Sequence, residues 1–232
     1  MTIVATFRRL RSSLANSAGT VVFGMEDGTV SIFGLIFGVA ATTTNTATVL
    51  IAGASGAVAA AVSMMAGAYL DVETTRDAID ARRSLVQSDR ALDAFAASLT
   101  DRFKAAGLTR EQSAALTGAV RGNRTALGGL MLALQGEAET PLNPWEQALW
   151  MLLADFLAAA VPILPFVFAP IPQARIISGV VTIALLIGLG IGRARIAERD
   201  TLRTVLETVC IGIAAALAGV FVGVMIDRSF GG

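Results

Sequence analysis

The chain has 232 residues, of which 54% are hydrophobic and 16% charged, with a mean hydropathy of +0.67; a soluble domain carries roughly a quarter charged residues and less than half apolar ones. Its 18 basic and 18 acidic residues cancel, so nothing points to a nucleic-acid partner, and with no histidine there can be no imidazole metal site and no Ser-His or Cys-His catalytic arrangement. Charges crowd into 71–139 and a few short stretches, leaving long apolar runs of the kind a bilayer protein needs.

Arg8, Arg9 and Arg11 precede an apolar stretch that superficially resembles a secretory signal. Glu26 and Asp27 interrupt that stretch and it continues well past a signal's length, so it reads as a retained helix with a basic flank. The first span runs from about Gly24 to Thr43, a polar turn covers Thr42 to Thr46, and a second span rich in Ala and Gly covers about Thr48 to Leu70. At 1.5 Å per residue, about 20 residues cross the roughly 30 Å hydrocarbon core, and both lengths suffice.

From Asp71 to Asn143 the pattern changes. Leu85, Leu92, Phe95, Leu99 and Phe103 recur at helical intervals and predict an amphipathic helix that Gly107 ends. Thr109 with Gln112 has the form of a capping box opening a second helix, and Ala126 to Glu137 supply a third before Pro141 and Pro144. The third span begins at Trp145, an aromatic suited to the membrane interface, and reaches Phe168, with Pro162 and Pro165 expected to bend or break it. The fourth covers about Ile176 to Gly192 and the fifth about Val205 to Ile226. The expected organisation is therefore an all-α integral membrane protein: arm and spans 1–2 in 1–70, a cytoplasmic three-helix insert in 71–143, and spans 3–5 in 144–232.

Orientation follows from the basic residues. Three lie in the N-terminal arm, nine between Arg76 and Arg124, and four between Arg193 and Arg203, whereas the loop after the third span has only Arg175 and the tail only Arg228. Five spans with the N-terminus in the cytoplasm put the three rich segments on one side; another number of spans scrambles them.

An ionisable residue within a span needs a reason to be there. Asp27 reads as an oxygen ligand for a passing cation, with Glu26 lining the cytoplasmic mouth; the alternative is that both snorkel to the interface. Met64 and Met65 near the end of the second span are soft thioether candidates or simply packing. Asp155 is either a proton-accepting group or a cap for the helix broken at Pro162. Gly34 and Gly38, with Gly24, Gly28, Gly53, Gly56 and Gly67, suggest that the first two spans pack closely, across a dimer axis in one reading. Cys210 reads as a small hydrophobe, and the absence of a GxxxxGK[ST] loop argues against direct ATP drive.

Glu-Asp-Gly at 26–28, Ser-Met-Met-Ala-Gly-Ala-Tyr at 63–69, Asn-Pro-Trp-Glu at 143–146 and Pro-Ile-Leu-Pro-Phe at 162–166, in this order, resemble the vacuolar iron transporter family. The resemblance implies five spans, a cytoplasmic helical insert, and a homodimer that exchanges Fe2+ or Mn2+ for protons. It places the family's first-span Asp on Asp27 and its second-span Met on Met64. Glu26 stands where the family often has Asn, and Ala68 where it often has Glu. The insert lacks the family's dense carboxylate cluster and offers Glu73, Glu111, Met131 and Glu137 as metal-collecting candidates. The expected protein is a secondary transporter without a permanently bound cofactor or enzymatic activity. Its short loops and arginine usage suggest a bacterial inner membrane. The competing expectation is a transport-inactive scaffold or metal sensor acting through its insert.

Overall fold

The computed structural model describes residues 12–14, 17–134 and 143–230, apart from the side chains of 82, 83 and 85–87. Its helices are α1 (Ala18–Thr42), α2 (Thr46–Gln87), α3 (Asp89–Ala105), α4 (Arg110–Arg121), α5 (Arg124–Leu134), α6 (Pro144–Ile163), α7 (Pro165–Phe168), α8 (Ile171–Ile196) and α9 (Thr201–Phe230). Five of them, α1, α2, α6, α8 and α9, are long and apolar enough to cross a membrane, as the hydropathy pattern predicts. α2, α8 and α9 extend beyond the apolar core that the sequence marks at both ends and α1 at its start, because polar residues continue the helix past that core, whereas α6 stops at Ile163, short of the expected Phe168. The third span breaks at Leu164, between Pro162 inside α6 and Pro165 opening α7, since proline donates no backbone hydrogen bond. Ser178 Oγ on α8 donates to the Pro162 carbonyl at 2.8 Å and satisfies it beside the break.

The chain forms two compact units, 1–70 with 143–232, and 71–142. In the first, glycine contacts set the direction of each span. Gly24 meets Met151 and Gly28 meets Asp155, so α1 and α6 run parallel; Gly34 meets Ala215 and Gly38 meets Gly219, so α9 runs with them. Gly53 takes the Ile36 side chain and Gly56 those of Leu35 and Ile32, so α2 is antiparallel to α1, while α8 opposes α9 through Gly190 on Val205 and Gly212 on Leu186. The core beyond Asp27 gathers Ile32, Ile36, Val49, Ala159, Phe166 and Ala174 from five elements. These contacts correct the expectation that the glycines of the first two spans serve mainly to pack those spans together. Gly34 and Gly38 accept the backbone of α9, Gly24 and Gly28 accept α6, and Gly67 has no neighbour within 4 Å. Backbones approach only where both helices present small residues; α9 offers Ala215, Gly219 and Gly223 at four-residue intervals.

In the second unit the expected amphipathic helix divides at Ser88, whose extended backbone starts α3 afresh at Asp89. Leu92, Phe95 and Leu99 pack with Leu127 and Met131, and Phe103 flanks them. Gly107, at φ 96°, turns the chain after α3: the Leu108 N–H donates to the Phe103 carbonyl and the Gly107 N–H to that of Lys104, the left-handed ending that glycine adopts without strain. The capping box forms as read, with the Gln112 N–H donating to Thr109 Oγ1 at 3.3 Å and the Thr109 N–H to Gln112 Oε1 at 3.0 Å. Thr109→Ala is expected to cost about 1 kcal/mol and to speed amide hydrogen exchange over 110–121.

Candidate functional site

The glycine that follows Asp27 on α1 packs against the buried acid of the third span. Asp27 and Gly28 are neighbours, and a β-carbon on Gly28 would sit 2.8 Å from Asp155 Oδ1 and closer still to the Asp155 carbonyl. Asp155 is fully buried, and neither of its carboxylate oxygens has a hydrogen-bond partner. It stands eleven residues into α6, about 17 Å along the axis at 1.5 Å per residue. The reading of Asp155 as a helix cap is therefore overturned: α6 continues helical past it to Ile163, and a side chain that makes no hydrogen bond caps nothing.

Asp27 faces differently. Phe23, Asp27, Ser31 and Leu35 recur every four residues along one edge of α1. This edge is the least covered by the other spans: Phe23 is 56% exposed, Leu35 38%, Ser31 exposed and Asp27 half-buried. Beside it a groove of about 440 Å³ is lined by Val22, Phe23, Glu26, Asp27, Arg193 and Ile211, from α1, α8 and α9.

Glu26 does not offer a free carboxylate to that groove. Its Oε1 accepts from Arg193 Nη1 at 3.0 Å and from Thr208 Oγ1 at 2.9 Å, with 12% of its side chain exposed. Its side chain reaches across to α8 and α9. Arg193 and Thr208 are the functional-looking residues that pattern reading missed: Arg193 counts as one of a charged run, and Thr208 as a polar interruption in an apolar helix. The one available signal is spacing, because Thr204, Thr208 and Gly212 line up one turn apart on the buried face of α9.

Met64 and Met65 are half-buried on α2. The contacts of α1 with α2 at Gly53 and Gly56 lie two to three turns from them. A methionine sulfur does reach α1 near Asp27, but it is that of Met151: a β-carbon on Gly24 would stand 2.6 Å from its Sδ. In the insert, Met131 is 7% exposed within the apolar core, Glu111 is exposed in the first turn of α4, and Glu73 lies half-buried on α2. Glu137 lies outside the described residues, and among those described no group of three or more acidic or cysteine side chains could hold a metal. The burial of Met131 has a plain cause, because a flexible apolar side chain fills the space between Phe95 and Leu127.

Near the Glu26 end of the spans, Trp150 Nε1 donates to Ser13 Oγ at 3.0 Å, and the Tyr69 and Trp145 rings pack with centroids 4.9 Å apart. Paired aromatics at the ends of apolar helices mark an interface level. Cys210 is exposed on α9.

Comparison with known proteins is consistent with this architecture. The sequence matches the VIT family over residues 18–224. It is 27% identical to a vacuolar iron transporter of Centaurea cyanus over 85% of this chain and 83% of that protein. It is 28% identical to vacuolar iron transporter 2 of Oryza sativa subsp. japonica, over 85% and 82%, and 24% identical to vacuolar iron transporter 1 of Eucalyptus grandis over the same shares.

Proposed function

The chain belongs to the VIT family, and on that premise we propose that it moves a divalent transition metal, Fe2+ or Mn2+, out of the cytoplasm in exchange for protons, as a homodimer. The observation that carries the reading is Asp27. An acid about 14 Å into a membrane-crossing helix, on an edge its own protomer leaves largely uncovered, would otherwise meet lipid, and such a placement costs several kcal/mol without a compensating partner. A second copy applied along Phe23, Asp27, Ser31 and Leu35 would exclude lipid from that edge and set two carboxylates along one path. Met64 and Met65 would contribute soft sulfur from the second span, a donor suited to a transition metal and poor for Mg2+ or Ca2+. Iron as cargo follows the names of the plant relatives.

From the arginine distribution we read the N-terminus, the Glu26 end of the spans and the 71–142 insert as cytoplasmic. We read the membrane as a bacterial inner membrane from the short loops and arginine usage. The purified protein in proteoliposomes, given Fe2+, Mn2+, Co2+ and Zn2+ side by side with a pH dye inside, tests the whole proposal. Fe2+ or Mn2+ flux with opposite proton movement is expected, falling by roughly 100-fold or more in Asp27→Asn, the upper range for losses around a metal site. No flux of any of the four ions overturns transport and leaves the scaffold reading, which a stable partner complex through 71–142 would then favour.

A further inference from the structure

The third span carries a row of metal-capable side chains that the proposed Asp27 and Met64 pair does not use. Gln147, Met151 and Asp155 follow one another at four-residue intervals on α6, and all three are buried, at 4%, 5% and 0% exposure. The Met151 sulfur lies against Gly24 and Asp155 Oδ1 against Gly28, so both face α1 one turn apart. Gln147 Oε1 and both Asp155 carboxylate oxygens have no hydrogen-bond partner. Buried polar atoms in native proteins are nearly always satisfied by protein, water or an ion. An amide oxygen, a thioether and a carboxylate in one row form a donor set of mixed hardness that suits a first-row divalent metal.

We infer that Met151 and Asp155 form a divalent-metal site inside the protomer, in the seam between α1 and α6, with Gln147 one turn toward the Glu26 end. Two ligands four residues apart on a helix reach one ion, as in helical His-x-x-x-His zinc sites. Gly24 and Gly28 make the seam possible, because any larger residue would occupy the space in front of the sulfur and the carboxylate. The soft ligand in this seam is Met151, whose sulfur lies against Gly24, one turn of α1 from Asp27. The inference takes only the class of ion from the proposed transport; the site itself stands on the geometry of α1 and α6.

The test uses the full-length protein in detergent, loaded with Co2+ and examined by X-ray absorption at the cobalt edge and by calorimetric titration. A sulfur scatterer is expected in the parent and in Met64→Leu, and its loss in Met151→Leu, a swap of near-equal volume that cores tolerate. Asp155→Asn, which keeps the side chain's shape, is expected to weaken Co2+ binding by about 10–100-fold. Sulfur that persists in Met151→Leu, or Asp155→Asn binding Co2+ like the parent, overturns the seam site. Sulfur lost only in Met64→Leu places the metal at Asp27 and Met64 and leaves the transport proposal intact. Transport itself falls only if the liposomes carry no ion.

Discussion

Gly219→Leu is expected to keep α1 and α9 from docking and to yield a protein that aggregates on extraction from the membrane. A β-carbon at this position would strike the Gly34 carbonyl, with the Gly34 carbonyl carbon 2.7 Å and its Cα 3.2 Å away. These are backbone atoms, so no rotation of a side chain relieves the overlap and the helices must separate. Separation also undoes the next two contacts along the seam, Gly38 on Gly219 and Gly223 on Gly38. Overpacking a well-packed interior costs about 1–3 kcal/mol when side chains can adjust, and here they cannot. Gly219→Ala should therefore already lower the unfolding temperature in detergent, with leucine abolishing the monodisperse peak on size-exclusion chromatography. Gly188→Ala is the control: nothing lies within 4 Å of its position, and alanine gains about 1 kcal/mol of helix propensity over glycine. A monodisperse Gly219→Leu with the parent's melting temperature would show that α1 and α9 do not meet as described.

The second large effect concerns the ion pair that crosses the bundle. Arg193→Gln is expected to destabilise the protein by about 2–3 kcal/mol, because it leaves the Glu26 carboxylate enclosed with only the Thr208 hydroxyl as partner. Removing one member of a buried pair costs about 3–5 kcal/mol, and the figure is reduced here because Arg193 is 35% exposed and water screens the pair. Glu26→Gln should cost less, about 1 kcal/mol, since the guanidinium left behind can turn toward the groove. The double variant should recover most of the loss suffered by Arg193→Gln, because it removes the stranded charge. The measurement is a double-mutant cycle of unfolding free energies in detergent; additive losses would mean that the two side chains do not interact. Screening makes a further point of difference: high salt should narrow the gap between the parent and Arg193→Gln.

Much of the architecture was legible before any coordinates. The number of spans, the break at Pro162 and Pro165, the Thr109 capping box and the glycine ending at 107 all depend on residues close together in the chain. Bilayer thickness sets a length, proline removes a donor, and a threonine hydroxyl three residues before an amide caps it. These are local rules. The misplaced break in the insert, at Ser88 and not at Gly107 alone, arose where both alternatives were locally acceptable.

The partners of the buried charges were not legible, and the reason is the solvent. In a water-soluble helix the apolar face marks the packed side, but in a bilayer the packed and lipid-facing sides are both apolar and the periodicity carries little information. Residue order alone therefore showed that Glu26, Asp27 and Asp155 fall within or at the edge of apolar spans, where an ionisable side chain needs a reason to be. Only the packing of α1 against α6, α8 and α9 decided that Glu26 is held by Arg193 and Thr208, that the Met151 sulfur lies against Gly24, and that the Asp155 carboxylate is left without a hydrogen-bond partner. Which face of a helix meets which neighbour is settled by glycine backbones fitting together across distant segments, and no rule confined to one segment contains that fit.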